Sequence, residues 1–515
     1  MTAGSEEAAP ALRLSEARGR WVLAATVLGS SMVLLDSTVV NVALPTIGKE
    51  LGASLGGLQW TVTGYTLALA GLILLGGSLG DRLGRRKVFL IGVIWFTLSS
   101  ALCGIAPSIG VLIGARVLQG IGGALLTPGS LAIIQATFAA DDRARAVGAW
   151  SGLGGVAGAA GPLLGGWLVQ AAGWRWVFLL NVPVAAAVVA VTIRHVPESR
   201  DPAATGGFDI AGAALAALAL GGITYALIEA PEHGDLIGVL TAGIVGVGAA
   251  VAFLMLESRR TRHPGKVAAM LPLDVFASRQ FSAVNVVTFL VYGAFGGVLF
   301  LLVLQVQVVS GYSPLKAGTT LLPVTLLMLA FSARSGALAE KIGPRWPMTA
   351  GTALCAVGLF LMTRIGLHAS YFADVLPAVT IFAVGLTLTV APLTATVLAS
   401  AEVRHAGVAS GVNNAVARAA GLVAVAGLPA AVGLGASSYR SPVRFNSGFD
   451  KAAIGCAVVL VLAAVLSAWL IRSDALHPEP DEPAVEPECR VSCALGAPPL
   501  EPRPRPAQAA GSSSG

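Results

Sequence analysis

The sequence is poor in charged residues, and this absence excludes an ordinary soluble protein. Only 12% of the 515 residues are charged, whereas 55% are hydrophobic and the mean hydropathy is +0.78. Soluble globular domains carry about 25% charged residues. The composition therefore indicates an integral membrane protein that has the lipid bilayer as a partner. The net charge is +6, but no basic stripe that would contact phosphates is visible, so we expect no nucleic-acid partner.

Cysteine and histidine are too few and too scattered to form a disulfide framework or a metal site. Cys103, Cys355 and Cys456 lie in apolar segments, and Cys489 and Cys493 lie in the carboxy-terminal tail. The tail pair lacks the further cysteine or histidine that would complete a metal site. The chain also has no GxxxxGK[ST] loop and no nucleophile motif. We therefore expect no metal, no cofactor, no enzymatic activity and no direct use of ATP.

Long apolar segments predict fourteen membrane-spanning helices. A helix needs about 20 apolar residues to cross the hydrocarbon, because its backbone polar groups must be satisfied within the segment. The predicted spans are 21–44, 58–79, 88–106, 109–133, 147–171, 176–194, 209–228, 236–256, 281–308, 314–333, 347–366, 371–399, 406–434 and 452–471. An even number of spans places both termini on one side of the membrane.

The lysines and arginines are distributed unevenly over the loops between these spans. Of the 33 basic residues, 24 lie on the side of the termini and only seven on the other: Lys49, Arg175, Lys316, Arg364, Arg440, Arg444 and Lys451. Basic residues are retained in cytoplasmic loops. The distribution predicts a multi-pass protein of the cell membrane with both termini in the cytoplasm.

An internal repeat predicts two related halves. The segment GSLGDRLGRRK at Gly77–Lys87 resembles GALAEKIGPR at Gly336–Arg345, which lies 259 residues later, and each follows the second span of a six-span set. Halves related by an axis along the membrane normal typically enclose a substrate cavity at the midplane. The predicted units are a cytoplasmic tail (1–20), a six-helix bundle (21–195), an inserted helix pair (208–257), a cytoplasmic linker (258–280), a second six-helix bundle (281–472) and a disordered tail (473–515).

Five motifs, in order and on the expected helices, resemble those of a known family. The Gly77–Lys87 loop looks like the signature between the second and third helices of the major facilitator superfamily. The extra helix pair makes the chain similar to the fourteen-span drug:proton antiporter branch, as do LDSTVVNVALP, RVLQGIGGALLTP, GAAGPLLGG and WRWVFLLNVP. The resemblance covers about residues 20–472. One departure is Pro344, which stands where the first repeat has Arg85.

The resemblance implies an all-α major facilitator fold, with two six-helix bundles and an inserted pair, and a proton-coupled exporter of amphiphilic drugs or antibiotics that works by alternating access. Two other functions remain open from the sequence: proton-coupled import of a small solute, and a non-transporting membrane receptor or scaffold, since fold alone does not define function. A bundle of this type can work as a monomer.

Asp36 is the only acidic residue predicted deep in the membrane. At about 1.5 Å per residue it lies about 22 Å along the first span, at the same depth as Arg116 in the fourth. An aspartate at a helix centre costs about 2.5–3.5 kcal/mol, so it normally faces a cavity or a partner. Burial disfavours the charged carboxylate and a nearby cation favours it. We interpret Asp36 as a proton-coupling site modulated by Arg116, with a structural ion pair as the alternative. The resemblance also ties Arg116 to proton coupling.

The remaining acids of the apolar segments are predicted at helix ends within reach of water. They are Asp209, Glu229, Glu257 and Asp374. A single deep acid, together with the deep arginines Arg116 and Arg418, argues against a specialised exporter of dications.

The other motif residues form three predicted groups. The first is predicted to form a cytoplasmic latch through charged hydrogen bonds to helix ends and to the other half. The alternative is that its arginines reflect only the retention of basic residues in a cytoplasmic loop. This group consists of Gly77, Asp81, Arg82, Gly84, Arg85 and Arg86. The second is the antiporter motif implied by the resemblance, whose small residues permit close helix packing: Gly158, Gly161, Pro162, Gly165 and Gly166. The third is a set of substrate-cavity candidates: Asn41, Gln59, Tyr65, Gln119, Gln305, Asn414 and Arg418.

Overall fold

Apolar segments of membrane length fold as long helices that continue past the apolar residues at either end. The computed structural model describes residues 12–201, 209–232, 235–263, 267, 269–400, 406–435, 439 and 441–476. The first eleven residues and the predicted disordered tail from residue 477, with Cys489 and Cys493, lie outside the described residues. Within the described residues, the regular structure is helical apart from one isolated bridge between Leu12 and Phe138. The predicted all-α fold is confirmed.

As far as the structure describes them, the first half and the inserted pair contain eight helices. They are α1 (Ala17–Leu51), α2 (Leu55–Leu83), α3 (Arg85–Gly104), α4 (Ile109–Thr137), α5 (Ala140–Ala171), α6 (Arg175–His195), α7 (Ile210–Glu229) and α8 (Leu236–Arg262). The second half contains α9 (Arg279–Val309), α10 (Pro314–Ile342), α11 (Arg345–Met362), α12 (Tyr371–Ala399), α13 (Ala406–Ala431) and α14 (Pro442–Leu470).

By length and apolar composition, the described part of the chain has 12 helices that can cross a membrane, or 13 when α2 is counted as one bent span. The remaining helix, α11, is shorter and carries Arg345 and Pro347 in its first turn. It packs against α12 and α14, and counting it gives the predicted fourteen helices.

Helix ends extend beyond the predicted spans because polar residues cap them. The Ser54 hydroxyl accepts a hydrogen bond from the backbone of Gly57 at 3.2 Å, and the Ser278 hydroxyl accepts one from Phe281 at 3.2 Å. The largest difference is in the last helix, which begins at Pro442 and not at residue 452. Its first turns are polar, so a search for apolar residues alone misses them.

The two halves repeat the same close helix contact. A Cβ at Gly92 of α3 would lie 2.7 Å from the backbone nitrogen of Leu126 in α4. A Cβ at Gly351 of α11 would lie 2.7 Å from the backbone oxygen of Gly385 in α12. Both residues of the second pair follow those of the first by the 259 residues that separate the two loop motifs. The repeat is therefore present in the packing as well as in the sequence.

The inserted pair contacts both halves. Its helices α7 and α8 meet at Gly222 and Gly246, where a Cβ at Gly222 would lie 2.6 Å from the backbone oxygen of Ala242. Helix α7 also packs against α2 and α13, whereas α8 exposes large apolar side chains such as Ile237 and Ile244, as a lipid-facing helix does. The pair thus covers a seam between the first and second halves.

The expectation that water reaches Glu257 is wrong. This side chain is fully buried, and its carboxylate accepts a hydrogen bond from the backbone of Leu271 at 2.7 Å. Arg260 forms ion pairs with Glu257 and with Asp209. The sequence places Glu257 near a helix end, but the linker that follows α8 folds back over that end and covers it.

Gly343, which ends α10, packs closely against the backbone of Ser473, and this contact can be tested by substitution. Its φ of +82° and ψ of 157° belong to a region that only glycine populates, and an added Cβ would collide with the backbone oxygen of Ser473. We expect Gly343→Ala to destabilise the fold by about 1–3 kcal/mol and to lower the melting temperature of the purified protein in detergent. Gly336→Ala is the matched control, because a Cβ there meets nothing within 4 Å. Equal melting temperatures for the two variants would contradict this account.

Candidate functional site

Asp36 and Arg116 form a fully buried ion pair between α1 and α4. The Arg116 guanidinium contacts one carboxylate oxygen of Asp36, and the side chains are 1% (Arg116) and 0% (Asp36) exposed. Gln119, one turn after Arg116, donates to the other carboxylate oxygen at 2.8 Å and accepts from Arg116 at 2.7 Å. Residues three apart share a helix face, so α4 presents both donors to α1. Every Asp36 oxygen is therefore hydrogen-bonded.

Helix α2 completes the surroundings of the Arg116 side chain. The guanidinium donates to the backbone oxygen of Thr61 at 3.0 Å and lies 4.1 Å from the centre of the Tyr65 ring. Gly120 makes this approach possible, since a Cβ there would collide with the backbone oxygen of Tyr65. A cation over an aromatic face is attracted by the ring quadrupole. Arg116 therefore has neutral partners in addition to Asp36.

A cavity of about 340 Å³ lies between the halves, next to this ion pair. It is enclosed by α1, α2, α9, α10 and α13, and its polar and aromatic lining residues include Ser37, Thr38, Asn41, Thr63, Thr66, Tyr292, Phe295, Phe300 and Arg418. Asp36 belongs to the same helix as three of these residues but faces the other way, toward α4. Helix α1 thus has the ion pair on one face and the cavity on the other.

Two of the predicted cavity residues, Asn41 and Arg418, line this cavity. Both have a buried side-chain atom without a protein partner, Asn41 Oδ1 and Arg418 Nε. Asn414 is exposed and is not among the lining residues. Its neighbour Asn413 instead donates hydrogen bonds to Asn285 and Thr288 of α9, at 3.2 and 2.8 Å.

Four other predicted cavity residues are buried in helix contacts. Tyr65 and Gln119 belong to the ion-pair cluster, where their polar groups are already engaged. Gln59 donates to the backbone oxygens of Val425 and Ala426 in α13, at 2.7 and 2.9 Å. Gln305 donates to the backbone oxygen of Ile365 and to the Asn446 side chain, each at 2.6 Å. We therefore correct the prediction that these four side chains line the cavity.

The threonines and the serine that line the cavity were not predicted from the sequence. Thr63 and Thr66 donate to carbonyls one turn back in their own helix, at 2.7 and 3.0 Å. Hydroxyls commonly do so within apolar helices, so their presence in a span is a weak signal. The one signal in the sequence was the cluster of polar residues in α1, at Ser37, Thr38 and Asn41.

The glycine stripe of α5 packs against α1. A Cβ at Gly161 would collide with the Thr38 hydroxyl, and a Cβ at Gly165 would lie 2.7 Å from the Val39 side chain. Gly158, one turn earlier, has its nearest neighbour at 4.0 Å. The stripe is therefore tightly packed only from Gly161 onward.

The same stripe also contacts α10 of the second half. A Cβ at Gly166 would lie 2.5 Å from the backbone oxygen of Pro314, and a Cβ at Gly318 would collide with the backbone oxygen of Pro162. These contacts close the two halves against each other at the end of the bundle that carries the α1–α2 connection. Gln307 adds a hydrogen bond at that end, to the backbone oxygen of Val42 at 3.0 Å.

The Gly77–Lys87 loop lies at the opposite end and is tied to the segment after α6. Asp81 pairs with Arg85 at 2.8 Å, and the Arg86 side chain donates to the backbone oxygen of Ile193 at 2.8 Å. The Glu198 carboxylate accepts from the backbone of Arg86 at 3.1 Å. In the part of the chain that the structure describes, the hydrogen bonds of Asp81, Arg85 and Arg86 stay within the first half. The predicted bonds to helix ends are present at the end of α6, whereas these three residues make none of the predicted bonds to described residues of the other half.

The two glycines of the loop have different surroundings. Gly84 has a φ of +116°, and a Cβ there would lie 2.7 Å from the Glu198 carboxyl group. Gly77 lies on α2, 3.5 Å from the Pro128 side chain of α4 by the same measure, and Arg82 lies in the last turn of α2. Gly84 thus allows the chain to turn against the segment that follows α6.

Comparisons with known proteins agree with this architecture. The model of the Major Facilitator Superfamily matches residues 26–225 and 186–426. The Tetracenomycin C resistance and export protein of Streptomyces glaucescens is 36% identical over 421 residues, covering 79% of this chain and 75% of that protein. The Methylenomycin A resistance protein of Bacillus subtilis is 34% identical over 453 residues, covering 87% and 93%.

The Multidrug resistance protein Stp of Mycobacterium tuberculosis is 37% identical over 396 residues, covering 76% of this chain and 72% of that protein. Among solved structures, a bacterial homologue of the human lysosomal transporter Spinster in an inward-facing, unoccupied conformation aligns with a TM-score of 0.62 at 18% identity. It covers 90% of this chain and 98% of that chain, and at this identity it shows the fold alone.

A double-mutant cycle on Asp36 and Arg116 tests the energetic coupling of the buried pair. Removing one partner of a buried ion pair costs about 3–5 kcal/mol, because the other charge is left uncompensated. We expect Asp36→Asn and Arg116→Gln each to lower the melting temperature in detergent, and the double variant to lose clearly less than the sum.

The partly exposed pair Asp81 and Arg85 is the control, because its coupling is expected to be below about 1 kcal/mol. Additive effects at Asp36 and Arg116, like those at the control pair, would show that the buried pair is not coupled.

Proposed function

The chain belongs to the major facilitator superfamily, in its drug-efflux branch, and from this membership we propose that it exports amphiphilic drugs or antibiotics in exchange for protons. The relatives are named for resistance to or export of such compounds, and the fold is that of a multi-pass membrane transporter. In the proposed cycle, the cavity opens alternately to the two sides of the membrane.

The observation that carries the proposal is the Asp36–Arg116 ion pair on the helix that lines the cavity. In our proposal a proton from outside neutralises Asp36, and the attraction to Arg116 is lost. Arg116 keeps Gln119, the Thr61 carbonyl and the Tyr65 ring as partners. Because the ion pair holds α1 against α4, its loss lets α1 move, and α1 carries Ser37, Thr38 and Asn41 of the cavity wall.

In this proposal, the antiporter motif of α5 transmits the movement of α1 to the second half. Gly161 of α5 packs against Thr38 of α1, and Gly166 packs against the backbone of α10. A shift of α1 therefore changes the surface on which α5 and α10 meet. This contact supports a role of the motif in opening and closing the end of the bundle near the α1–α2 connection.

We propose that the closed end faces the outside and that the Gly77–Lys87 loop is cytoplasmic. The excess of lysine and arginine in the loops on the side of the termini supports this orientation, with both termini in the cytoplasm. The moving bodies are the bundles at 21–195 and 281–472, with the pair at 208–257 resting on both and 258–280 as the linker. In the described conformation, the Gly77–Lys87 loop then joins α2 and α3 to the end of α6 and to the segment after it, within the first half.

The protonmotive force supplies enough free energy for useful export. One proton moving through 100 mV yields about 2.3 kcal/mol. At about 1.4 kcal/mol per factor of ten, this sustains a drug gradient of roughly 40-fold. A single titrating carboxylate is therefore sufficient, and since one chain encloses the whole cavity, we propose that the monomer is the working unit.

Transport by Asp36→Asn tests the proton role. A substrate is first identified by susceptibility testing of an efflux-deficient host that expresses the protein, with and without an uncoupler. In proteoliposomes with an imposed proton gradient, we expect gradient-driven accumulation of that substrate by Asp36→Asn to fall at least about tenfold, because the variant cannot bind the coupling proton. Exchange down the substrate's own gradient should persist.

The control is Glu50→Gln, which changes a half-exposed acid on the same helix. Undiminished gradient-driven transport by Asp36→Asn would rule out this residue as the proton site. Wild-type transport that does not depend on the imposed proton gradient would rule out antiport itself.

The antiporter motif predicts different effects for two glycines one turn apart. We expect Gly161→Ala to reduce transport strongly, because the new Cβ collides with Thr38 and separates α5 from α1. Gly158→Ala should retain nearly full activity, because its Cβ has room. Initial rates in the same proteoliposomes, normalised to reconstituted protein, give the comparison. Equal rates for the two variants would mean that this contact does not control transport.

A further inference from the structure

The cavity between the halves contains a cationic side chain that no acidic residue in the described part of the chain neutralises. Arg418 of α13 lines the cavity, and its Nε atom is buried without a hydrogen-bond partner in the protein. No carboxylate lies within ion-pair distance of it in the part of the chain that the structure describes. An arginine in such surroundings is costly unless a ligand or water completes its hydrogen bonds.

The only deep carboxylate of the first half is already engaged elsewhere. Asp36 faces α4, where Arg116 and Gln119 satisfy both of its oxygens. The pair carries no net charge, so Arg418 gives the cavity an excess of one positive charge. The remaining polar lining consists of neutral hydroxyl and amide groups. Arg116, and not Arg418, is therefore the counter-ion of Asp36.

Asn41 provides a second unsatisfied group in the same cavity. Its amide nitrogen donates to the Ser37 backbone oxygen at 3.2 Å, whereas its Oδ1 atom is buried and has no donor. A bound molecule with a hydroxyl group would satisfy this acceptor. Arg418 offers the complementary group, since a guanidinium binds a carboxylate or a similar acidic oxygen through two parallel hydrogen bonds.

The apolar part of the cavity wall favours a ligand with a flat apolar ring system. Tyr292, Phe295 and Phe300 of α9 all line the cavity, and the ring of Phe295 stacks on Phe382 at 6.0 Å between centroids. Aromatic rings prefer offset or edge contacts with other rings. A volume of about 340 Å³ accommodates a fused-ring molecule of drug size.

We propose that this cavity selects aromatic molecules that carry an acidic oxygen, such as a carboxylate or an ionised phenol or enol. Arg418 binds the acidic oxygen, and Asn41 accepts a hydrogen bond from a hydroxyl group of the same molecule. A cationic aromatic would place a second positive charge beside Arg418 in a medium of low dielectric constant, and the cavity therefore disfavours it. This proposal rests on the proposed export function in naming the substrate class for the same cavity.

Three probes with one ring system separate charge from shape. They are anthraquinone-2-carboxylate, its methyl ester and 2-(aminomethyl)anthraquinone, and their equilibrium binding to the purified full-length protein in nanodiscs is measured without a proton gradient. A hydrogen bond to a charged group contributes about 1.5–3 kcal/mol. We therefore expect the carboxylate to bind about ten- to a hundredfold more tightly than the ester, and the amine to bind most weakly.

Substitution of Arg418 assigns this preference to one side chain. Arg418→Gln should bind carboxylate and ester within about threefold of each other, with the ester affinity unchanged, while Arg418→Lys retains part of the preference. Unchanged ester binding also shows that the variant is folded. Arg444→Gln, which removes the same charge from an exposed position on α14, is the matched control and should behave as the wild type.

The proposal is overturned if the wild type binds the amine or the ester as tightly as the carboxylate, if it binds none of the three, or if Arg418→Gln keeps the preference. Its failure is distinguishable from failure of the proposed function. Proton-driven transport of the ester or amine, but not of the carboxylate, would overturn the substrate class alone. Selective carboxylate binding without gradient-driven transport would overturn proton coupling alone.

Discussion

The ion pair between Asp36 and Arg116 is the constraint on which the rest of the structure depends. A carboxylate away from water must have its charge compensated and its oxygens hydrogen-bonded, and here α4 supplies both Arg116 and Gln119. Satisfying these groups sets the rotation of α1 about its own axis. That rotation turns Ser37, Thr38 and Asn41 to the opposite side, where they form part of the cavity wall. The polar contact and the cavity are therefore two consequences of one helix orientation.

Small residues transmit this orientation to the rest of the molecule. Without a hydrophobic driving force between helices in lipid, close packing depends on side chains that let backbones approach. Gly161 and Gly165 bring α5 against α1, and Gly166 and Gly318 bring α5 against α10. In our proposal, a change at the ion pair reaches the contact between the halves through these close helix contacts.

The two halves share a backbone arrangement but differ in chemistry. Gly92 and Gly351 make equivalent contacts, and Gly84 and Gly343 both end the second helix of their half with a positive φ. The same spacing of 259 residues places Phe295 and Val375 where the first half has Asp36 and Arg116. In our proposals, the first half therefore holds the proton, and the second half contributes the aromatic wall and Arg418.

Segment length and hydropathy were sufficient to predict the helical fold, since a backbone in lipid has to satisfy its own hydrogen bonds. The rise per residue was sufficient to place Asp36 and Arg116 at one depth. The sequence did not reveal the neighbour that each polar side chain meets. Gln59, Gln119 and Gln305 all looked like cavity residues, yet each donates to another helix. Glu257 looked hydrated, yet the linker covers it. Periodicity defines the face of a helix, whereas only the packed bundle decides whether that face meets a helix, a loop, lipid or the cavity.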